Sequence, residues 1–76
     1  MNKDRRNKID LLRSRLEEIM EQINELAEEE RDAFDNLPES IQESERGENM
    51  ENAFDNLDSA VASIEEAVDY LTEAAC

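Results

Sequence analysis

The side chains able to do chemistry in this chain are twenty-two carboxylates and one thiol, Cys76, with no histidine among them. Carboxylates act as general acids or bases, as ligands for divalent cations, or as a negative surface. Acid–base catalysis needs a carboxyl whose pKa is moved toward the working pH by an apolar pocket or a close like charge. Here the acids are spread along polar stretches, no lysine follows Lys8, and no glycine-rich phosphate loop exists. No enzyme activity is expected. A calcium loop needs alternating Asp/Asn ligands, a central glycine and a terminal glutamate, and that order is absent. One cysteine without histidine builds neither a zinc site nor an intrachain disulfide. The reading is therefore no metal, no cofactor and a reducing compartment, with Cys76 an inert terminus in preference to an intermolecular disulfide.

What remains of the carboxylates is their field. The net charge is −14, and it is unevenly placed. Residues 1–16 carry Lys3, Arg5, Arg6, Lys8, Arg13 and Arg15 against Asp4 and Asp10, a net +4. Residues 59–76 carry Glu65, Glu66, Asp69 and Glu73 and no base, a net −4, while residues 17–58 hold sixteen acids against Arg31 and Arg46. Such a concentration attracts basic partners and repels nucleic acid and anionic membrane.

The elements that must position these charges are helices. One Gly, one Pro and a charged fraction of 39% read as long exposed helix, and the apolar residues are periodic as a disordered chain's need not be. With Ile9 as a of a heptad abcdefg, Ile9, Leu12, Leu16, Ile19, Ile23, Leu26, Ala33 and Leu37 fall on a and d, interrupted once at Glu30. Met20, Ala27 and Phe34 form a flanking e line. In the second half Met50, Leu57, Ile64 and Leu71 are a, Ala53, Ala60, Ala67 and Ala74 are d, and Phe54, Val61, Val68 and Ala75 are e. Four alanines in phase predict a close helix approach along d. Pro38 cannot sit inside a helix but suits a first turn, Ser44 is a natural N-cap, and Gly47 falls in the first turn of the second helix, where it costs little, or at the last bend before it.

The expected fold is all-α: a single antiparallel helical hairpin over 1–76, with helix 1 over about 3–36, a turn over 37–47 and helix 2 over about 48–75. In that hairpin residues 1–16 lie along 59–76, so the charges of the open end offset and the negative charge gathers at the turn end. A lone hairpin would cover its a and d lines and leave the e residues Met20, Phe34, Phe54, Val61 and Val68 partly in water. Burying a Phe or Val side chain contributes roughly 1.5–3 kcal/mol, which favours association into a four-helix bundle as a homodimer or higher oligomer. Met20, Phe34, Ala53, Phe54, Leu57, Ala60, Val61, Ile64, Ala67, Val68 and Leu71 are the residues expected to carry self-association.

A short echo, Ala33-Phe34-Asp35-Asn36-Leu37 and Ala53-Phe54-Asp55-Asn56-Leu57, reads as one solution for an aromatic at a core edge used twice, ahead of a duplicated binding motif. The stretch from Asp32 through Asn36-Leu37-Pro38-Glu39-Ser40-Ile41-Gln42-Glu43-Ser44-Glu45-Arg46-Gly47 to Met50, followed by the alanine heptads, resembles small acidic helical proteins encoded by bacteriophages and prophages. The resemblance covers about half the chain and implies a phage setting, but transfers no site. By analogy with small acidic phage proteins, it implies occupation of a host protein.

The leading functional expectation is an acidic interaction protein that binds, and so inhibits, a basic or nucleic-acid-binding host protein through its turn end. Glu28, Glu29, Asp32, Asp35, Glu39, Glu43, Glu45, Glu48, Glu51, Asp55 and Asp58 would carry it, set around Pro38, Ser44, Arg46 and Gly47. A structural protein whose self-association is the function is the alternative. A small-ligand sequestering oligomer using Arg46 with Ser40 and Ser44 ranks third. No apolar run reaches the roughly 18 residues of a membrane span and no signal peptide is evident. A cytoplasmic location, the bacterial host's if phage-encoded, is expected, with no direct nucleic-acid or membrane contact.

Overall fold

The computed structural model describes all of residues 1–76. It is all-α, with α1 over Lys3–Asp35, a single turn of helix α2 over Glu39–Gln42, and α3 over Glu45–Ala75. The two long helices lie side by side and antiparallel in a rod of 58 × 14 × 12 Å.

Local chemistry explains each boundary. Asn2 caps α1, its Oδ1 accepting from the Arg5 amide at 2.9 Å and so satisfying one of the free N–H groups of the first turn. At the other end Asn36 keeps helical angles and its amide reaches the Asp32 carbonyl, after which Pro38, lacking an N–H and extended at ψ 147°, stops the helix. The Pro38 carbonyl starts α2 by accepting from Ile41 and Gln42 at 2.9 and 3.0 Å. The Gln42 side chain then folds back, and its Nε2 donates to the Phe34 carbonyl at 3.0 Å. The Phe34 carbonyl, in the last turn of α1, also accepts from the Leu37 amide at 3.0 Å, so the Gln42 side chain adds a second bond there. Gln42→Ala removes this bond; the expected cost is about 1 kcal/mol, read as a lower urea midpoint with an unchanged slope.

Ser44 occupies the N-cap of α3 with extended backbone, but its side chain does not cap the helix; its hydroxyl donates to the Ile41 carbonyl instead. Helix α3 begins at Glu45, so Gly47 lies in its first turn. Gly47 is buried, and a Cβ there would run into the backbone carbonyl of Gln42. The sequence reading that glycine costs little at this position understates it: the close crossing of α2 and α3 requires a residue without a side chain.

The seam between α1 and α3 also differs from the expected one. Covered or partly covered positions of the seam run Ile9, Arg13, Leu16, Met20, Ile23, Ala27, Glu30 and Phe34 on α1, with Leu37 just past its end, and Gly47, Met50, Phe54, Leu57, Val61, Ile64, Val68, Leu71 and Ala75 on α3. These are the a and e lines. On the d line of α1, Leu12, Ile19 and Leu26 are 48%, 45% and 53% exposed. On that of α3, Ala53 and Ala74 are exposed while Ala60 and Ala67 are partly covered at the seam's edge. The reason is bulk. The e line of α3 offers Phe54, Val61 and Val68 where its d line offers only methyl groups, so turning a and e inward removes more apolar surface from water. Closest packing falls at Ala27, 1% exposed, which the register places level with Val61, 8% exposed, rather than along the alanine row.

Candidate functional site

Helix register decides which side chains meet. Phe34 and Phe54 pack edge to face with centroids 5.8 Å apart and planes inclined by 68°. The Arg31 guanidinium lies 5.0 Å from the Phe54 ring centroid and bonds Asp58 at 2.7 Å. The echoed pentapeptide thus has a structural consequence, because antiparallel pairing brings its two aromatics to one level. Arg31, which sequence reasoning left as one of two bases in an acidic segment, lies over the Phe54 ring of that pair. No local spacing signals this contact, because Phe54 lies on the other helix and only the register of the hairpin brings it to Arg31.

The acids proposed for partner binding are arranged along the turn half of the rod. Glu28, Glu29, Asp32 and Asp35 are exposed on α1, Glu39 and Glu43 on and beside α2, and Glu45, Glu48, Glu51, Asp55 and Asp58 on α3. Of the sixteen acids between Glu17 and Asp58, only Asp58 is in an ion pair. No group of three acidic or thiol side chains converges where a metal could be held. An open cleft of about 370 Å³ lies at the turn end, lined by Glu30, Glu45, Arg46, Asn49 and Met50. Two carboxylates flank its one guanidinium, so it offers an anion little net attraction. Ser40 does not line it, and the Ser44 hydroxyl is spent on Ile41.

The basic segment is placed differently from expectation. Arg13 is the basic residue of that segment that reaches α3, donating to the Thr72 hydroxyl at 3.1 Å, and it also pairs with Asp10 at 3.5 Å. Lys3, Arg5, Arg6 and Lys8 make no ion pair with Glu65, Glu66, Asp69 or Glu73. The register explains why: with Arg13 beside Thr72, the end of α3 at Ala75 falls level with Asp10, so residues 3–9 project past it, a basic overhang of about 10 Å. Ile9 alone in that overhang is partly covered, and Leu11 is 54% exposed.

The residues expected to carry self-association separate into two groups. Met20, Phe34, Phe54, Leu57, Val61, Ile64, Val68 and Leu71 lie in the intramolecular seam, while Ala53, Ala60 and Ala67 edge the outer surface. No helix is long and apolar enough to cross a membrane. Cys76 is free and exposed. Comparison with protein-family models, with curated proteins and with solved structures finds no match.

Proposed function

We propose that this chain is a non-enzymatic interaction protein that works as a homo-oligomeric helical bundle and engages a basic protein surface through the acids of its turn half. The observation that supports it is the near absence of compensation: fifteen of the sixteen carboxylates from Glu17 to Asp58 have no cationic partner, although Arg46 lies among them. An unpaired field of one sign speeds and strengthens association with a partner of opposite sign. In the phage setting that the turn sequence suggests, the partner is a nucleic-acid-binding protein of the bacterial cytoplasm, inhibited by occupation of its basic site. The same field disfavours direct contact with nucleic acid or anionic membrane.

The test is capture of basic proteins from bacterial lysate at low and high salt, by the parent chain and by a variant carrying Glu39→Gln, Glu43→Gln, Glu45→Gln and Glu48→Gln. A partner that is lost at high salt and weakened by the variant is expected. Capture that ignores both changes, or no partner at all, overturns the reading and leaves self-association as the function. Self-association itself responds to salt in the opposite sense, strengthening as repulsion between chains of charge −14 is screened.

A further inference from the structure

The inner seam leaves one side of the hairpin apolar, and both helices contribute to it. Arg31 and Asp58 each follow an a position, and their bond puts the b lines of the two helices on one edge of the seam. The d lines, on the other side of a from b, therefore share the opposite edge. There Leu12, Ile19 and Leu26 run beside Ala74, Ala67, Ala60 and Ala53. The next line outward on α3 is Asn49, Asn56, Ser63 and Tyr70, without a charge, and the nine acids of α3 all lie elsewhere. Tyr70 is 68% exposed. On α1 that line is Lys8, Arg15, Gln22 and Glu29, basic at one end and acidic at the other.

From this arrangement we infer that the face receives a second copy of the chain, antiparallel to the first, about a two-fold axis passing by Ile19 so that α1 lies over the partner's α1 along its length and the last half of α3, from about Ala60, over the same part of the partner's α3. The inference rests on the oligomeric reading above and specifies its geometry. Three features select this occupant and orientation. Ile19 is the midpoint of α1, Lys3–Asp35, and of the triplet Leu12, Ile19, Leu26, so a two-fold there sets Ile19 on its own copy and Leu12 against Leu26 of the second chain. The flanking charges are opposite under the same operation, bringing Lys8 level with Glu29 of the second copy, twice. The reverse stacking, turn end on turn end, places like charges together and α1 over α3. The α1 helices meet along their ~50 Å and the α3 helices along about their last 22 Å, so at half of the 14 Å width for each helix the contact is roughly 500 Å² per copy, or about 1,000 Å² in total, the lower limit of a specific interface.

Directed cross-linking in a Cys76→Ser background tests the geometry, with sedimentation equilibrium of the parent chain run beside it. Ile19→Cys is expected to oxidise to a covalent dimer. Leu12→Cys and Leu26→Cys are expected to cross-link when mixed, and not when oxidised separately. Lys8→Glu is expected to weaken the dimer about tenfold, and added Glu29→Lys to restore it. Circular dichroism confirms that each variant is folded, which the exposure of these positions allows. A dimer in which Ile19→Cys pairs with Ala67→Cys of the other copy, or in which Leu12→Cys pairs with itself, overturns this arrangement and leaves oligomerisation standing. A folded monomer at micromolar concentration overturns both.

Discussion

Replacing Gly47 with alanine is expected to destabilise the hairpin by about 2–3 kcal/mol, a fall in melting temperature of roughly 10–20 °C for a chain of this size. Helix propensity alone predicts the reverse sign, since alanine inside a helix is favoured over glycine by about 1 kcal/mol. The structure decides between them, because the added Cβ would overlap the Gln42 carbonyl, a backbone group that cannot rotate away. Relief requires α2 to move from α3, which also pulls the Gln42 side chain from the Phe34 carbonyl. Thermal melts of Gly47→Ala beside Glu48→Ala, an exposed neighbour expected to change stability by less than about 0.5 kcal/mol, make the comparison. A Gly47→Ala protein as stable as the parent would mean that the turn is not crossed this closely.

The helices and their reversal were legible in the sequence because their signals are local. A three-and-four apolar spacing, a proline that stops one helix and a second run in heptad phase are enough to expect a hairpin. The identity of the seam was not legible from α1, where Leu12, Ile19 and Leu26 on d look as suitable as Met20, Ala27 and Phe34 on e. It is settled by the other helix, whose bulk lies on a and e, so the choice belongs to the pair and to neither helix alone. The same dependence hid the candidate interface. Once e turns inward, the leucines and isoleucine of d become an outer stripe, and alanines that suggested a close intramolecular approach become the floor beside it. Charge totals by segment missed the basic overhang for a related reason, since pairing whole segments ignores where the register ends α3.

Phe54→Ala is expected to cost about 2–3 kcal/mol, below the usual range for a fully buried phenylalanine because the ring keeps partial contact with water. Three interactions are lost together: packing across the a and e seam, the edge-to-face contact with Phe34, and the stacking of the Arg31 guanidinium. Phe54→Leu separates them, since leucine retains most of the apolar burial and loses the quadrupole, for an expected cost of about 1 kcal/mol. A double-mutant cycle with Phe34→Leu should return a coupling near 1 kcal/mol, as the rings are in direct contact. Arg31→Lys tests the remaining term: a lysine keeps a positive charge near Asp58 but not the planar group over the ring, so a loss on this substitution assigns the effect to stacking. Were the echoed pentapeptides a duplicated binding motif instead, Phe54→Leu would leave melting unchanged and reduce partner capture. Urea denaturation of the four single variants and the double variant, with capture measured in the same buffer, distinguishes the two, and a coupling of zero between Phe34 and Phe54 would remove the structural explanation of the echo.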